Sequence, residues 1–380
     1  MRILMNAATL SPNTGISVQT VQVAEELAAR GHRLDLVYVE DGPFRDRYHS
    51  ISDSMRQVPA LDLELRGALR QAPRLVPALR AGAATHPDVI YLNRFKPLPW
   101  ALATSTFTRA PVVCHLHGLV GIGTPAVNRN LSRFTNRFIC VSNFVRDRFV
   151  AAGGDPARTD VVHNGIDLAE YPAGGSSEQA TARAELGLSE EPFIVLFYGR
   201  LSPEKGVDIL ISAVAGLGGG GRPVEVVLMG PYLEDTYGRD LLASAPGVTI
   251  HHLPMRTDVV TPLHAADVVA VPSVCEDAFP RTVLEALSTG RPVIGSSIGG
   301  IPEALTGDFA RFLVPPGDVG ALTATLTEVL DWRRREPGLG QACTDHVARN
   351  FSKSGMVDGV EQRLVDAVRR PPRGPGRSET

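Results

Sequence analysis

Residues 272–303 read PSVCEDAFPRTVLEALSTGRPVIGSSIGGIPE. The apolar run Val268–Val271 just before them is a short strand, and the loop from it to Phe279 carries two carboxylates, Glu276 and Asp277. Pro280-Arg281 opens a helix, because proline suits the first helical turn, where its missing N–H is no loss. The amides of that turn point back toward the loop, a favourable place for an anionic or hydroxyl-bearing ligand. Glu285 lies one turn inside the helix, and a carboxylate there can accept two hydrogen bonds from a vicinal diol. Gly290, Gly295, Gly299 and Gly300 allow close backbone approach. Val293–Gly295 is the next strand. Strand, loop, helix, strand is a βαβ unit, whose strands run parallel.

The same alternation extends in both directions. Arg2–Asn6 is a buried strand, Ala7–Thr14 a loop, and Val18, Val21, Val23, Ala24, Leu27 and Ala28 form the apolar face of a helix that Gly31 stops. Strands follow at Leu34–Val39, Val89–Leu92, Val112–His115, Phe138–Val141 and Val161–His163. The stretch Tyr171–Pro192 is polar and rich in Gly, Ser and Glu, which makes it an interdomain connection with a short helix at Thr181–Leu186. A second series has strands at Phe193–Tyr198, Val224–Met229, Val248–His251, Val268–Val271 and Val293–Gly295, with a helix at Val207–Ala215. The expected fold is α/β: two Rossmann-like, doubly wound domains facing across a cleft that is the natural ligand site. The boundaries are 1–170 for the N-terminal domain, joined by a last helix at about 352–370, and 190–350 for the C-terminal domain. Asp331–Val347 reads as helical, and 371–380 as a disordered tail.

Composition narrows the function. The chain has 380 residues, and Lys+Arg 38 against Asp+Glu 41 leaves a net charge of −3. Without a basic excess, nucleic acid is not the expected partner. The four cysteines lie far apart and form no CxxC pair, so a zinc knuckle or disulfide scaffold is not expected. No run reaches the ~18 apolar residues of a membrane span, and the N-terminus reads as a strand rather than a signal peptide. A cytoplasmic protein is expected. The glycines of Gly216–Gly221 follow a helix and precede a strand, the reverse of a dinucleotide fingerprint, so they read as a connector.

The quoted stretch resembles the GT-B nucleotide-sugar glycosyltransferases, in particular the retaining family 4 group. Asp277, seven residues, Glu285 has the spacing of that family's paired-acid signature. Gly290–Ile294 and Gly299–Glu303 match the family's next strand and its Gly-Gly-Xaa-Pro-Glu turn. The family's first acid is Glu, here Asp277, with Glu276 one residue earlier as the alternative. By this resemblance Glu285 holds the donor ribose, Asp277 contacts donor-sugar hydroxyls, and Phe279, Thr282 and Val283 line the donor. A second matching segment, Phe197–Gly206, places Arg200 and Lys205 against the donor diphosphate, where cations neutralise a leaving pyrophosphate. The sequence contains no Asp-Xaa-Asp motif, so neither a metal nor a cofactor is expected. Gly230 matches a glycine near the donor. In Val112–Gly118, His117 matches a histidine close to the reacting sugar, and His115 points into the sheet.

The N-terminal loop departs from the family. Its usual Gly-Gly is replaced by Asn13-Thr14-Gly15, which leaves Gly15 for the donor and Asn13, Thr14 and Ser17 as polar acceptor contacts or an ordinary helix cap. His163–Asp167 reads as a hinge turn. The resemblance implies a retaining transfer of a sugar from a nucleoside diphosphate sugar, UDP or GDP, to a hydroxyl acceptor, by front-face attack. The alternatives are a sugar-nucleotide epimerase or hydrolase on the same fold, a non-catalytic nucleotide-sugar binder, and a phosphorylase-like enzyme. Arg66, Arg70, Arg74 and Arg80 lie among leucines and could touch a membrane, but Pro73 and Pro77 should interrupt that helix, and a solvated face is favoured.

Overall fold

Each of two compact units, Met1–Asn164 with Ser354–Thr380 and Gly165–Lys353, is built on one parallel sheet in the computed structural model. Residues 1–12, 15–62, 68–118, 124–217, 221–232, 241 and 247–369 are described, with backbone alone for 68–72. In the first unit the strands are β1 Arg2–Thr9, β2 Arg33–Glu40, β3 Ser52–Gln57, β4 Val89–Leu92, β5 Val112–Leu116, β6 Arg137–Cys140 and β7 Thr159–Val161, in the order β3-β2-β1-β4-β5-β6-β7. In the second they are β8 Phe193–Tyr198, β9 Val224–Met229, β10 Thr249–Leu253, β11 Val268–Val271, β12 Val293–Ser296 and β13 Leu313–Val314, in the order β10-β9-β8-β11-β12-β13.

The central strands are short and apolar without alternation. VIYL of β4 and VVCHL of β5 are buried along their whole length, as strands covered by helices on both faces must be. The polar strand SDSMRQ of β3 forms the edge, which its charges suit. Each sheet reverses its winding at one place: beside β1 and β4 in the first unit, and beside β8 and β11 in the second. A doubly wound sheet binds its ligands beyond the carboxyl ends of the strands at such a point.

Several elements differ from the sequence reading. Residues Ala7–Thr9 are strand, not loop, because β2 is long enough to pair Ala7 with Tyr38 and Thr9 with Glu40. The helix Ala68–Ala83 runs through Pro73 and Pro77. Spaced four apart, both prolines lie on one exposed face, so the carbonyls they leave unbonded can turn to water. The helix expected over Asp331–Val347 is two, Trp332–Arg335 and Leu339–Asn350, broken at Pro337-Gly338. Gly218–Gly220 and the tail beyond Arg369 lie outside the described residues.

The polar stretch after Tyr171 is part of the second unit rather than a loose connection. Its helix Ser176–Glu185 buries Arg183, which donates to the carbonyls of Ala265 (2.9 Å) and Glu190 (2.6 Å) and to Asp267 Oδ2 (2.6 Å). Arg183 and Asp267 are 2% and 1% exposed. Arg183→Ala should destabilise the second unit by ~3 kcal/mol, because it removes the shortest ion pair of a buried carboxylate and leaves Asp267 to the longer contacts of Arg333 (3.4 Å) and Arg222 (3.7 Å). Urea titration checks this, and an unchanged midpoint would show the pair to be idle.

The last helix, Lys353–Arg369, belongs to the first unit. Val357, Val360 and Leu364 share one core with Ile3, Leu36 and Val162, and Arg30 reaches Glu361 at 2.7 Å. The two passages of the chain between the units run side by side. Ile166 N donates to Phe351 O (2.8 Å), Lys353 N donates to Ile166 O (2.9 Å), and Lys353 Nζ meets Asp167 at 2.5 Å.

Candidate active site

In the second unit the winding reversal gathers most of the residues singled out above. The chain leaves β8 through Tyr198-Gly199-Arg200, makes a tight turn at Pro203–Lys205, and enters the helix Val207–Ala215. The chain leaving β11 runs through Cys275–Asp277 to the helix Arg281–Ser288. The two segments are joined by their backbones, since Val274 N and Cys275 N both donate to Glu204 O (3.0 and 3.3 Å). That junction sets Lys205 Nζ 2.6 Å from Asp277 Oδ2. Glu276 is exposed beside it, so Asp277 is the acid that faces the lysine. Arg200 pairs with Glu204 at 2.8 Å and is 53% exposed. An exposed pair of this kind contributes little, ~0–1 kcal/mol, and yields readily to a better anion.

The glycine pair after β12 has a definite task. Gly299 holds a φ of +62°, and a Cβ there would lie 2.2 Å from Asp277 O, while one on Gly300 would lie 2.0 Å from Ala278 O. Gly300 N donates to Asp277 O at 2.7 Å. The Gly299–Glu303 turn therefore presses on the backbone of the acid loop and sets its position. Gly230, at the end of β9, makes a similar approach, and its Cβ would lie 2.0 Å from Gly199 O.

Glu285 is buried, and protein donors surround it. Tyr198 Oη donates to its Oε2 (2.6 Å), and Tyr171 Oη (3.2 Å) and Arg281 Nε (3.2 Å) donate to its Oε1. Burial, with the carboxylate close by, pushes the Tyr171 phenol up to about 12 and the Tyr198 phenol well above its ordinary value. Both phenols are thus fixed donors at neutral pH. A carboxylate offers about four lone-pair sites, so these three bonds leave one for a ligand hydroxyl. The side chains of Phe279 and Val283 lie in the core, and Thr282 is half-buried. The expectation that their side chains line the donor is not met by Phe279 and Val283, which are packed away from solvent at 4% and 0% exposure.

In the first unit, His117 follows directly on β5. His115, inside the strand, is fully buried and shares a 2.7 Å hydrogen bond between its Nδ1 and Tyr91 Oη. The two imidazoles lie 4.1 Å apart between centroids. Burial lowers the pKa of His117 to about 3 and that of His115 well below the ordinary value. Both rings are therefore neutral at pH 7 and act as hydrogen-bonding groups, not acids. His117 Nε2 is buried and has no hydrogen-bond partner among the described residues. Gly15 opens the helix Gly15–Ala29 and Ser17 lies half-buried in its first turn, whereas Asn13 and Thr14 lie outside the described residues. His117, Arg94, Phe95, Lys96 and Ile16 line a cavity of about 270 Å³ beyond β4 and β5.

Two family models cover most of the chain. Residues 13–170 match Glycosyltransferase Family 4, and residues 178–342 match Glycosyl transferases group 1. The chain belongs to the GT-B glycosyltransferases. It is 38% identical over 214 residues to the D-inositol 3-phosphate glycosyltransferase of Mycolicibacterium smegmatis, a match covering 54% of this chain and 47% of that protein. It is 36% identical over 237 residues to the enzyme of the same name in Salinispora arenicola, covering 58% and 52%. The matched region thus spans about half the length of these curated relatives. Among solved structures, Anabaena HepE in complex with UDP superposes with a TM-score of 0.83 at 24% identity, over 96% of this chain and 100% of that one. A glycosyltransferase from Rickettsia africae gives 0.85 at 16% identity, over 97% and 99%. At these identities the likeness establishes the fold.

Within the GT-B chain, the second unit brings Arg200, Lys205, Gly230, Asp277 and Glu285 to one sheet crevice. His117, Gly15 and Ser17 belong to the first unit. Sequence reading passed over Arg94 and Lys96, in a region without a family motif. The available signal was two cations directly after the short buried strand β4. Tyr171 and Tyr198 also escaped it: Tyr171 belongs to no matched motif, Tyr198 lies in the matching Phe197–Gly206 segment without a role assigned to it, and only packing brings them to Glu285. No helix among the described residues is long and apolar enough to cross a membrane.

Proposed function

We propose that this chain transfers a sugar, with retention of anomeric configuration, from a UDP- or GDP-sugar to a hydroxyl acceptor. The carrying observation is the junction of the Pro203–Lys205 turn with the Cys275–Asp277 loop at the winding reversal of the second sheet, which sets Lys205 against Asp277 at 2.6 Å. Two cations there are placed for a diphosphate, and a carboxylate beside them for sugar hydroxyls. The complex of HepE with UDP and the names of the inositol phosphate relatives favour the same donor chemistry and a hydroxyl acceptor.

In this reading Lys205 and Arg200 exchange their carboxylates for the donor diphosphate. Asp277, released, holds a sugar hydroxyl, and Glu285 accepts from the ribose. The bond from the anomeric carbon to the phosphate oxygen breaks as the acceptor oxygen bonds to the same face of that carbon. The acceptor proton passes to the departing phosphate oxygen. The protein's share is positioning and charge stabilisation of the leaving group, with His117 as a neutral hydrogen-bonding group toward the sugar. Nothing in this scheme asks a side chain to act as nucleophile.

The test is a thermal-shift series with UDP, GDP, ADP and dTDP and their sugars. At a hundred times the dissociation constant, one of them should stabilise the folded chain by about 2.7 kcal/mol, and Glu285→Gln should weaken that effect. Absence of a shift with every nucleotide would defeat the proposal. Acceptor-dependent nucleotide release then separates transfer from epimerisation or hydrolysis.

A further inference from the structure

We infer that Arg94 and Lys96 form the anion-reading half of the acceptor site and that the acceptor is a small polyol carrying a phosphate. This deepens the transferase reading and rests on it. The cavity in the first unit lies beyond the carboxyl ends of β4 and β5, beside the winding reversal of the sheet. Among the described residues, its lining holds two cations and no carboxylate. Arg94 and Lys96 make no ion pair among the described residues, whereas Arg2, Arg30, Arg47, Lys205 and Lys353 all do.

The loop that carries the two cations is anchored. Asn93 donates from Nδ2 to Thr20 Oγ1 (3.0 Å) and from its backbone to Asn6 Oδ1 (3.3 Å), and Cys114 Sγ donates to Arg94 O (3.5 Å). The helix Gly15–Ala29 contributes Ile16, from its first turn, to the same cavity. Its N-terminal amides add positive potential there.

Composition singles out Lys96. Of the 38 basic residues, three are lysines: Lys96, Lys205 and Lys353. Two of them serve defined electrostatic tasks, Lys205 at Asp277 and Lys353 at Asp167. In a chain that otherwise supplies its cations as arginine, a lysine marks a place for a compact point charge on a flexible stem. Paired with a guanidinium fork, it matches a phosphomonoester, whose charge at pH 7 is about −1.5 to −2. A cavity of about 270 Å³ sits just below the usual ~300–1,000 Å³ of small-molecule sites. It suits one ring-sized polar molecule rather than a long glycan.

Lysine scarcity provides the experiment. The full chain is acetylated with an amine-reactive ester and followed at each lysine by mass spectrometry. The additions are myo-inositol 3-phosphate, glycerol 3-phosphate, myo-inositol, vesicles containing a phosphoinositide, or UDP. The phosphorylated polyols should slow acetylation of Lys96, the neutral polyol should not, and UDP should slow Lys205. Arg94→Gln with Lys96→Gln should weaken phosphopolyol binding about tenfold or more while leaving the UDP thermal shift in place. Equal protection by myo-inositol and its phosphate, protection by vesicles alone, protection of Lys96 by UDP alone, or no protection by any phosphate would each overturn the inference. Loss of the UDP effect at Lys205, with phosphopolyol protection of Lys96 retained, would strike the donor reading and leave this site standing.

Discussion

Lys205→Ala should lower the turnover number for sugar transfer about 10²–10³-fold, the cost of removing one charge stabiliser aimed at a leaving group. The effect belongs in kcat more than in KM, because the diphosphate gains negative charge as the glycosidic bond breaks, and Lys205 acts on that gain. The side chain makes its 2.6 Å contact with Asp277 from a tight turn whose backbone is bonded to the acid loop, so its ammonium is placed before any donor arrives. Lys205→Arg should recover part of the rate, since it restores the charge but not the point geometry. Arg200→Ala should cost less, because Arg200 is half-exposed and its partner Glu204 lies on the same turn. Steady-state kinetics with the donor found by thermal shift checks both. A Lys205→Ala enzyme with unchanged kcat would remove the lysine from the chemistry and leave it as a structural partner of Asp277.

Glu285→Ala should cost the fold as well as the site. Its carboxylate neutralises Arg281, which is 8% exposed, and receives two buried phenols. Removing one partner of a buried pair costs ~3–5 kcal/mol, because the other charge is left without compensation. A depressed melting temperature and a lower urea midpoint are the expected results. Glu285→Ala is therefore a poor control for nucleotide binding. Glu285→Gln keeps the shape and an acceptor oxygen while losing the charge that strengthens bonds from ribose hydroxyls. It should lose less stability than Glu285→Ala, because the amide oxygen still accepts a hydrogen bond in the cluster although the charge opposite Arg281 is gone, and it should bind nucleotide more weakly. Wild-type nucleotide affinity in a folded Glu285→Gln chain would separate Glu285 from the ribose and assign it to the Arg281–Tyr171–Tyr198 cluster alone.

The fold and the motif-bearing part of the site were readable because they are local. An apolar run of four to six residues followed by a loop and an amphipathic helix can satisfy its backbone and bury both strand faces only in a parallel, helix-covered sheet. Strands β4, β5, β8, β9 and β11 are legible in this way. Strand β3 is not, being a polar edge strand without an apolar signal, and neither is the helix through Pro73 and Pro77, whose prolines lie on an exposed face. The paired acids and the cations of the 197–206 segment could be found because their spacing along the chain equals their spacing on a strand end and a helix turn.

Other features depend on residues far apart in the chain. Glu285 meets Tyr171 and Tyr198, more than eighty residues away. Asp277, not Glu276, faces Lys205, because Gly299 and Gly300 press on the loop from a third segment. Phe279 and Val283 turn their side chains into the core. Arg94 and Lys96 come to the cavity beside His117 only through the pairing of β4 with β5. Spacing within one segment reports which residues a turn or helix brings together. The protonation state of His117, the occupancy of the Glu285 lone pairs and the charge of the acceptor cavity depend on what packs around them, and that comes from long-range burial, which short-range patterns do not encode.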